Sequence, residues 1–90
     1  MMTTRYDVLL TAAAQRTLRR VDRVVQDRLL DVIETLRDDP RPDGVKALKG
    51  HHGLLRVRVG DYRIVYRVTD GELVVVVVTL GHRREVYRKL

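Results

Sequence analysis

The chain has 90 residues, the size of one small domain, and 44% of them are hydrophobic and 33% charged. This composition predicts a globular protein and excludes a disordered one, while the absence of cysteine excludes disulfide bonds and thiol chemistry. The net charge of +6 favours a polyanionic partner, either nucleic acid or an acidic protein. No apolar run reaches the about 18–20 residues of a membrane span, and the N-terminus lacks the apolar core of a signal peptide. We therefore expect a cytoplasmic protein with no membrane partner.

The N-terminal half predicts one strand followed by two helices. The strand is Arg5–Leu10, with Tyr6, Val8 and Leu10 on one side, and Thr11 is a suitable cap for the next helix, Ala12–Val21. Apolar residues at helical spacing predict a second helix from Asp22 to Arg37. Pro40 lies shortly after this helix, where proline prevents its continuation. We expect the two helices to form an antiparallel pair with a short connection.

The C-terminal half predicts a loop, three strands and a basic tail. In order, these are Asp43–Gly53, Leu54–Val59, Tyr62–Thr69, Glu72–Leu80 and Gly81–Leu90. Asp70-Gly71 is typical of a type I′ turn and predicts a hairpin between the last two strands. Five consecutive valines, Val74–Val78, predict a central strand covered on both faces. The element order predicts an α+β fold in one domain, residues 1–90: a small antiparallel sheet with an N-terminal strand and an antiparallel helix pair on one face.

The most informative segment is the hairpin in LLRVRVGDYRIVY. Arg56 and Arg58 alternate with valines, which is the pattern of a half-buried strand. Gly60-Asp61 predicts a two-residue type II′ turn, which would place Arg58 directly opposite Arg63. Like charges that face each other across strands destabilise a sheet. The hairpin therefore predicts a binding place for an anion.

The two predicted hairpins also assign side chains to the two faces of the sheet. One face is apolar and should receive the helices; its members are Val57, Val59, Tyr62, Ile64, Tyr66, Val68, Leu73, Val75 and Val77. The other face has arginines beside a hydrophobic floor; its members are Arg56, Arg58, Arg63, Val65, Arg67, Val74, Val76, Val78 and Leu80. Such a floor needs a cover, which the C-terminal tail, a partner segment or a ligand would provide. Tyr62 and Tyr66 are accordingly interpreted as core residues.

The arginine face suits the cleavage of RNA by its own 2′-hydroxyl. This reaction needs a base, an acid, and cations for the charge that develops on the phosphate. Arginine holds phosphate oxygens with two parallel donors, so Arg56, Arg58 and Arg63 form a candidate cradle. Arg83 and Tyr87, with His82 beside them, add candidate catalytic groups from the tail. The candidate RNA-binding residues are Lys46, Lys49, Arg67, Arg84 and Arg88.

Four runs resemble the RelE toxins of the RelE/ParE superfamily: ALKG, LRVRVGDYRIVY, DGELVVVVV and GHRREVY. The resemblance covers nearly the whole chain. It implies the toxin of a type II toxin–antitoxin system, an endoribonuclease that cuts messenger RNA without metal or cofactor, commonly in the ribosomal A site. It also implies a cognate antitoxin that binds the toxin in a hetero-oligomer.

The resemblance also assigns roles to individual positions. Arg56 and Arg58 match a pair of basic active-site residues that are lysines in some relatives. Arg63 matches the arginine that supports the scissile phosphate, and Arg83 matches a second active-site arginine. Tyr87 matches a tail tyrosine implicated in acid–base chemistry or base stacking.

Several alternatives stay open at this stage. Arginine remains protonated, so the base is either Tyr87 or His82. Of these two residue types, histidine is the one that titrates near neutrality. A ParE-like inhibitor of DNA gyrase without nuclease activity would share the fold, and so would a protein whose basic face only docks an antitoxin. His51 and His52 are interpreted as ordinary loop residues because they lack the spacing of metal ligands. A basic face on the first helix is either solvated or in contact with ribosomal RNA; it comprises Arg16, Arg19, Arg20 and Arg23.

Overall fold

The computed structural model describes residues 5–90, with only the backbone of Lys89. Residues 1–4, on which the signal-peptide prediction partly depends, lie outside the described residues. The elements are β1 (Asp7–Leu10), α1 (Ala12–Arg20), α2 (Arg23–Thr35), β2 (Lys46–Ala47), β3 (Leu54–Val59), β4 (Tyr62–Thr69) and β5 (Val74–His82), with 3₁₀ turns at Asp70–Glu72 and Val86–Lys89. In this described part, no helix is both long and apolar enough to cross a bilayer.

The strands form one five-stranded sheet in the order β1-β5-β4-β3-β2. The α+β prediction is confirmed, and the valine-rich strand β5 is interior to the sheet, as expected. Two details differ from the prediction. β1 pairs with β5 in parallel, so the sheet is mixed. The segment expected to be a loop contains the short strand β2, which extends the sheet beyond β3.

The helices begin close to the predicted positions and end slightly earlier. Thr11 caps α1 as predicted, since its Oγ1 accepts a hydrogen bond from the Ala14 N–H at 3.2 Å. The same hydroxyl donates to the Val78 carbonyl at 2.6 Å and so ties the start of α1 to β5. α1 ends at Arg20 because Val21 is already extended, and α2 ends at Thr35 rather than at Arg37.

The β3–β4 hairpin has the predicted register. Arg58 is the cross-strand partner of Arg63, and Val59 is the partner of Tyr62. Gly60 has a φ of +59°, whereas Asp61 does not lie in the left-handed region. This combination of φ signs is that of a type II′ turn, and glycine adopts it without strain.

The predicted type I′ turn at Asp70-Gly71 is wrong. The chain instead forms the 3₁₀ turn Asp70–Glu72, followed by Leu73 with a φ of +54°. Tertiary bonds favour this longer loop, because the Leu73 carbonyl accepts a hydrogen bond from the Asp7 N–H at 2.8 Å. Leu73 is therefore a loop residue, 41% exposed, and not part of the apolar face. β5 begins at Val74 rather than at Glu72.

A β-bulge changes the faces of β5 beyond its fourth residue. Tyr66 pairs with Val77 but Val65 pairs with Thr79, so Val78 is an extra residue on β5. One inserted residue moves every later side chain to the other face. The assignment of Leu80 to the arginine face is therefore wrong: Leu80 is fully buried in the helix-side core, and Thr79 takes the position on the arginine face.

Apolar residues form two cores on opposite faces of the sheet. The larger core lies under the helices; it contains Ala14, Leu18, Leu29, Ile33, Leu36, Val57, Val59, Ile64, Tyr66, Val75, Val77 and Leu80, and Tyr62 packs against it. The smaller core lies on the arginine face and contains Leu54, Val65 and Val86. Val86 belongs to the tail and is fully buried. The C-terminal tail, which was one of the expected covers, therefore packs on the hydrophobic floor through Val86.

Thr79 is a buried polar residue whose hydroxyl is left without a hydrogen-bond partner in the described part of the chain. It is 2% exposed. A buried hydroxyl without a partner costs about 1–3 kcal/mol. We expect Thr79→Val to raise the free energy of unfolding by about 1 kcal/mol, measured by urea denaturation. Thr79→Ser, which keeps the hydroxyl and removes the methyl group, should instead lower it; destabilisation by valine would contradict this account.

A polar clamp joins three segments at one end of the sheet. The Asp70 carboxylate accepts hydrogen bonds from the Tyr6 hydroxyl at 2.7 Å and from the two terminal nitrogens of Arg41 at 3.1 and 2.9 Å. The Arg41 bonds, followed by the Tyr6 bond, lower the pKa of Asp70 to about 2. The clamp connects the chain before β1, the segment after α2 and the β4–β5 loop.

This clamp predicts a specific acid dependence of stability. Because the folded pKa of Asp70 lies below its ordinary value of 3.8, its contribution is present above about pH 4 and is lost as the pH falls towards 2. We expect Asp70→Asn to lower the melting temperature at neutral pH and to flatten its dependence on pH between about 4 and 2. Asp31→Asn, an exposed change on α2, is the control and should keep the wild-type slope.

Candidate functional site

A row of cations lies on the face of the sheet that the helices leave open. Arg56 and Arg58 alternate with buried valines on β3, and Arg63 on β4 pairs with Arg58. Lys46 on β2 pairs with Arg56, so the extra strand adds a fourth cation. Cross-strand partners share a face, and the four side chains therefore form one row from β2 to β4.

These four cations surround a cavity of about 400 Å³, which we call the arginine cavity. Its lining consists of Asp43, Gly44, Lys46, Arg56, Val57, Arg58 and Arg63. Arg63 is only 8% exposed, and its Nη1 donates to the carbonyls of Gly60 and Tyr62, both at 3.0 Å. The type II′ turn thus holds the guanidinium of Arg63 in place through its own backbone carbonyls.

The four cations of the row form no ion pair in the described part of the chain, although the Asp43 carboxylate lines the same cavity. Among residues 5–90, ion pairs within 4.0 Å involve Arg5, Arg23, Arg37 and Arg41, none of which belongs to the row. If this basic face were only solvated, its arginines would be expected to pair with Asp61 or Glu85. Neither carboxylate forms an ion pair among the described residues. A buried charge is normally paired, so Arg63 stands out as a buried cation whose described partners are neutral carbonyls.

A second cavity, of about 510 Å³, adjoins the first and is called here the tyrosine cavity. Its lining consists of Lys46, Ala47, Leu48, Lys49, His51, Arg56 and Tyr87. Lys46 and Arg56 belong to both cavities, so the two form one continuous basic site. Tyr87 is 39% exposed because its neighbour Val86, rather than Tyr87 itself, covers the hydrophobic floor.

The tail also brings Arg83 close to the β3–β4 turn. The Arg83 N–H donates to the Asp61 carbonyl at 2.7 Å, and the Arg83 side chain is exposed. Its backbone is therefore fixed beside the turn that ends the arginine row. The predicted tail residues Arg84 and Arg88 are exposed, and so is Arg67 on β4. Their contacts with RNA stay predictions.

His82 is not brought together with the arginine row. It pairs with Tyr62, and the two rings meet edge to face with centroids 5.7 Å apart. Because of the bulge in β5, it lines a separate cavity of about 310 Å³ that also involves Thr17 and Arg20 of α1. Its Nδ1 accepts a hydrogen bond from the Arg84 N–H at 3.2 Å. The geometry therefore does not favour His82 as the base of this site.

Two residues of the site were missed by the sequence analysis. His51 was interpreted as an ordinary loop residue, yet it lines the tyrosine cavity beside Tyr87. Asp43, which received no role, is the one carboxylate in the lining of the arginine cavity. The sequence feature that could have identified His51 is its position just before the strand that carries Arg56 and Arg58. No neighbouring residue, however, indicates that this loop lines the same cavity as Tyr87.

Comparison with known proteins identifies the relatives of the chain. Residues 8–87 match the model of a family described as the ParE toxin of the type II toxin–antitoxin system parDE. Toxin RelE of Mycobacterium tuberculosis is 32% identical over 84 residues, which are 92% of this chain and 87% of the relative.

Solved structures have the same fold. A chain in the crystal structure of the archaeal RelE–RelB complex from Pyrococcus horikoshii OT3 has a TM-score of 0.77 and 29% identity; the match covers 91% of this chain and 97% of that one. A chain in the toxin–antitoxin complex RelBE2 from Mycobacterium tuberculosis also has a TM-score of 0.77, with 27% identity, and the match covers 88% and 99% of the two chains.

Proposed function

The chain belongs to the RelE/ParE superfamily of toxins from type II toxin–antitoxin systems, and from this premise we propose that it is an endoribonuclease that cuts messenger RNA presented by the ribosome. Cleavage would inhibit translation and growth. The proposal places the reaction in the arginine and tyrosine cavities, which share Lys46 and Arg56.

The observation that carries the proposal is the buried and unneutralised guanidinium of Arg63. A desolvated cation costs folding free energy unless an anion or a good set of hydrogen bonds compensates it. Arg56 and Arg58 line the same cavity, and each guanidinium presents parallel donors that match two oxygens of a phosphodiester. A phosphate from RNA is therefore the ligand that fits the arginine cavity.

The proposed step is an internal transfer at phosphorus. The 2′-oxygen forms a bond to phosphorus while the bond from phosphorus to the 5′-oxygen breaks, which leaves a 2′,3′-cyclic phosphate. The 2′-hydroxyl loses a proton and the departing 5′-oxygen gains one. The arginines stabilise the extra negative charge on the phosphate in the transition state. Tyr87, whose residue type ordinarily keeps its proton at neutral pH, gives the proton to the 5′-oxygen.

The proposed protein partner is a cognate antitoxin. Two of the structural relatives were solved as complexes of toxin and antitoxin, and the uncompensated row of cations offers charge complementarity to an acidic segment. Such a segment would compete with RNA for the arginine cavity and form a hetero-oligomer with the toxin. Co-purification with the product of the adjacent gene, lost when the row is neutralised, is the expected result.

A cell-free translation system tests the nuclease activity directly. The protein is synthesised in the reaction, and 5′ ends of a reporter messenger RNA are mapped with ribosomes present and absent. We expect cuts phased with codons, upstream fragments that end in a cyclic phosphate, and much slower cleavage without ribosomes. Intact messenger RNA under both conditions would overturn the proposal.

The name of the matched family model favours one second candidate, inhibition of DNA gyrase by a ParE-like binding mode without nuclease activity. This activity does not require an acid–base tyrosine. A supercoiling assay with purified gyrase, run beside the translation assay, separates the two functions. Loss of supercoiling with intact messenger RNA would replace the nuclease proposal with gyrase inhibition.

A further inference from the structure

We propose that His51 is the general base of the cleavage reaction, an inference that rests on the proposed nuclease function. A base at neutral pH must be able to lose and regain a proton there. Arginine remains protonated, and lysine and tyrosine ordinarily titrate near pH 10. Histidine is the residue type whose ordinary pKa falls between pH 5 and 8. Within the lining of the two cavities, His51 is the one histidine.

The fold holds His51 at the tyrosine cavity through its backbone. The His51 N–H donates to the Leu48 carbonyl at 3.4 Å, and its carbonyl accepts from the Leu54 N–H at 3.1 Å. Gly50 and Gly53, with φ values of +78° and +80°, allow the tight turns on either side. The loop therefore closes onto the start of β3, two residues before Arg56.

The imidazole of His51 is also chemically available. It is exposed, and in the described part of the chain neither ring nitrogen makes a hydrogen bond. His82, in contrast, already uses its Nδ1 and lies on the other face of the sheet. His52 is equally exposed but does not line the tyrosine cavity. Position therefore distinguishes His51 from the other two histidines.

The charged and polar groups of the tyrosine cavity, Lys46, Lys49, Arg56 and Tyr87, are suited to holding a phosphate beside His51. His51 also lines a cavity of about 350 Å³ outside the proposed site, with Arg41 and His52 in its lining. The titratable or charged groups that face His51 therefore come from the segment after α2, from β2, from the loop itself, from β3 and from the tail; they are Arg41, Lys46, Lys49, His52, Arg56 and Tyr87. No carboxylate is part of either lining, so the nearest described charges attract the RNA backbone.

In the completed step, the two proton transfers are divided between His51 and Tyr87. A neutral ring nitrogen of His51 takes the proton of the 2′-hydroxyl as the bond from the 2′-oxygen to phosphorus forms. Tyr87 gives its proton to the 5′-oxygen as the bond from phosphorus to that oxygen breaks. Solvent then returns a proton to Tyr87 and removes one from His51, so the pair is reset and no further reactant is consumed.

The test is the pH dependence of single-turnover cleavage on programmed ribosomes. We expect the wild-type rate to rise with pH as the general base loses its proton. His51→Gln should lower the rate at pH 7.5 by about 100-fold or more and remove this rise. His52→Gln, its neighbour in the chain, should leave both the rate and the pH profile unchanged.

A second measurement separates a chemical role of His51 from a structural one. His51→Ala should fold like the wild type, with the same circular dichroism and melting temperature, and added imidazole should restore part of its activity through the open tyrosine cavity. A His51→Gln variant with the wild-type rate and pH profile would overturn the assignment of the base while leaving the nuclease proposal intact. A wild type that does not cleave overturns both.

Discussion

Replacing Arg56 with alanine is expected to lower the rate of RNA cleavage by about 100–1,000-fold. Arg56 is the arginine that lines both the arginine cavity and the tyrosine cavity, so we expect it to contact a phosphate bound between them. The loss is expected in the chemical step, because the guanidinium stabilises charge that develops only in the transition state. Single-turnover cleavage on programmed ribosomes measures this step.

Two further variants control for charge and for folding. Arg56→Lys keeps the positive charge but loses the planar fork, and it should retain more activity than Arg56→Ala. Arg37→Ala removes one positive charge at the end of α2, where Arg37 pairs with Glu34 at 2.8 Å, and should cleave like the wild type. If Arg56→Ala and Arg37→Ala lower the cleavage rate equally, only the net charge of the protein matters. If neither lowers it, Arg56 has no role in cleavage. Both results would contradict the proposal.

Replacing Tyr87 with phenylalanine is expected to lower the cleavage rate by about 100-fold or more, which is a typical contribution of one acid–base group. The change removes only the hydroxyl and keeps the ring at the wall of the tyrosine cavity. Folding should be preserved, since Tyr87 is 39% exposed and the tail is anchored by Val86. Tyr62→Phe, which removes a hydroxyl on the helix-bearing face, is the matched control and should retain activity.

Tyr87→Ala separates proton transfer from base stacking. A ring that only stacks on a base contributes about 1–3 kcal/mol, and phenylalanine supplies the same stacking surface. If Tyr87→Phe is as active as the wild type and Tyr87→Ala is impaired, Tyr87 binds the substrate and does not transfer a proton. If both variants are impaired equally, the hydroxyl is the functional group.

The arginine row illustrates how much local sequence determined. Alternation of arginine and valine set the period of β3, and a glycine at the first position of a two-residue turn set the register with β4. These are short-range rules, so the opposition of Arg58 and Arg63 followed from the sequence alone. The element order and the family resemblance could likewise be predicted from the sequence, because both depend on runs of adjacent residues.

Other parts of the site depended on contacts between segments far apart in the chain. The bulge at Val78 moved Leu80 into the helix-side core and His82 to the wrong side of the sheet for the proposed chemistry. No turn residue marks such a bulge within five identical valines, and the Thr11 hydroxyl that bonds to the Val78 carbonyl lies 67 residues away. The β4–β5 turn changed for a similar reason, since Asp70 is held by Tyr6 and Arg41.

The sequence by itself thus determined four of the five strands, the helices, the basic character of one sheet face and the family of the chain, because each is encoded in the periodicity and order of neighbouring residues. Only the tertiary structure decided which titratable groups share a cavity. β2 added Lys46 to the arginine row, the loop before β3 placed His51 in the lining of the cavity that Tyr87 also lines, and the bulge placed His82 on the other face of the sheet. Such placement depends on long-range hydrogen bonds and on the burial of Val86, and neither leaves a local periodic signal.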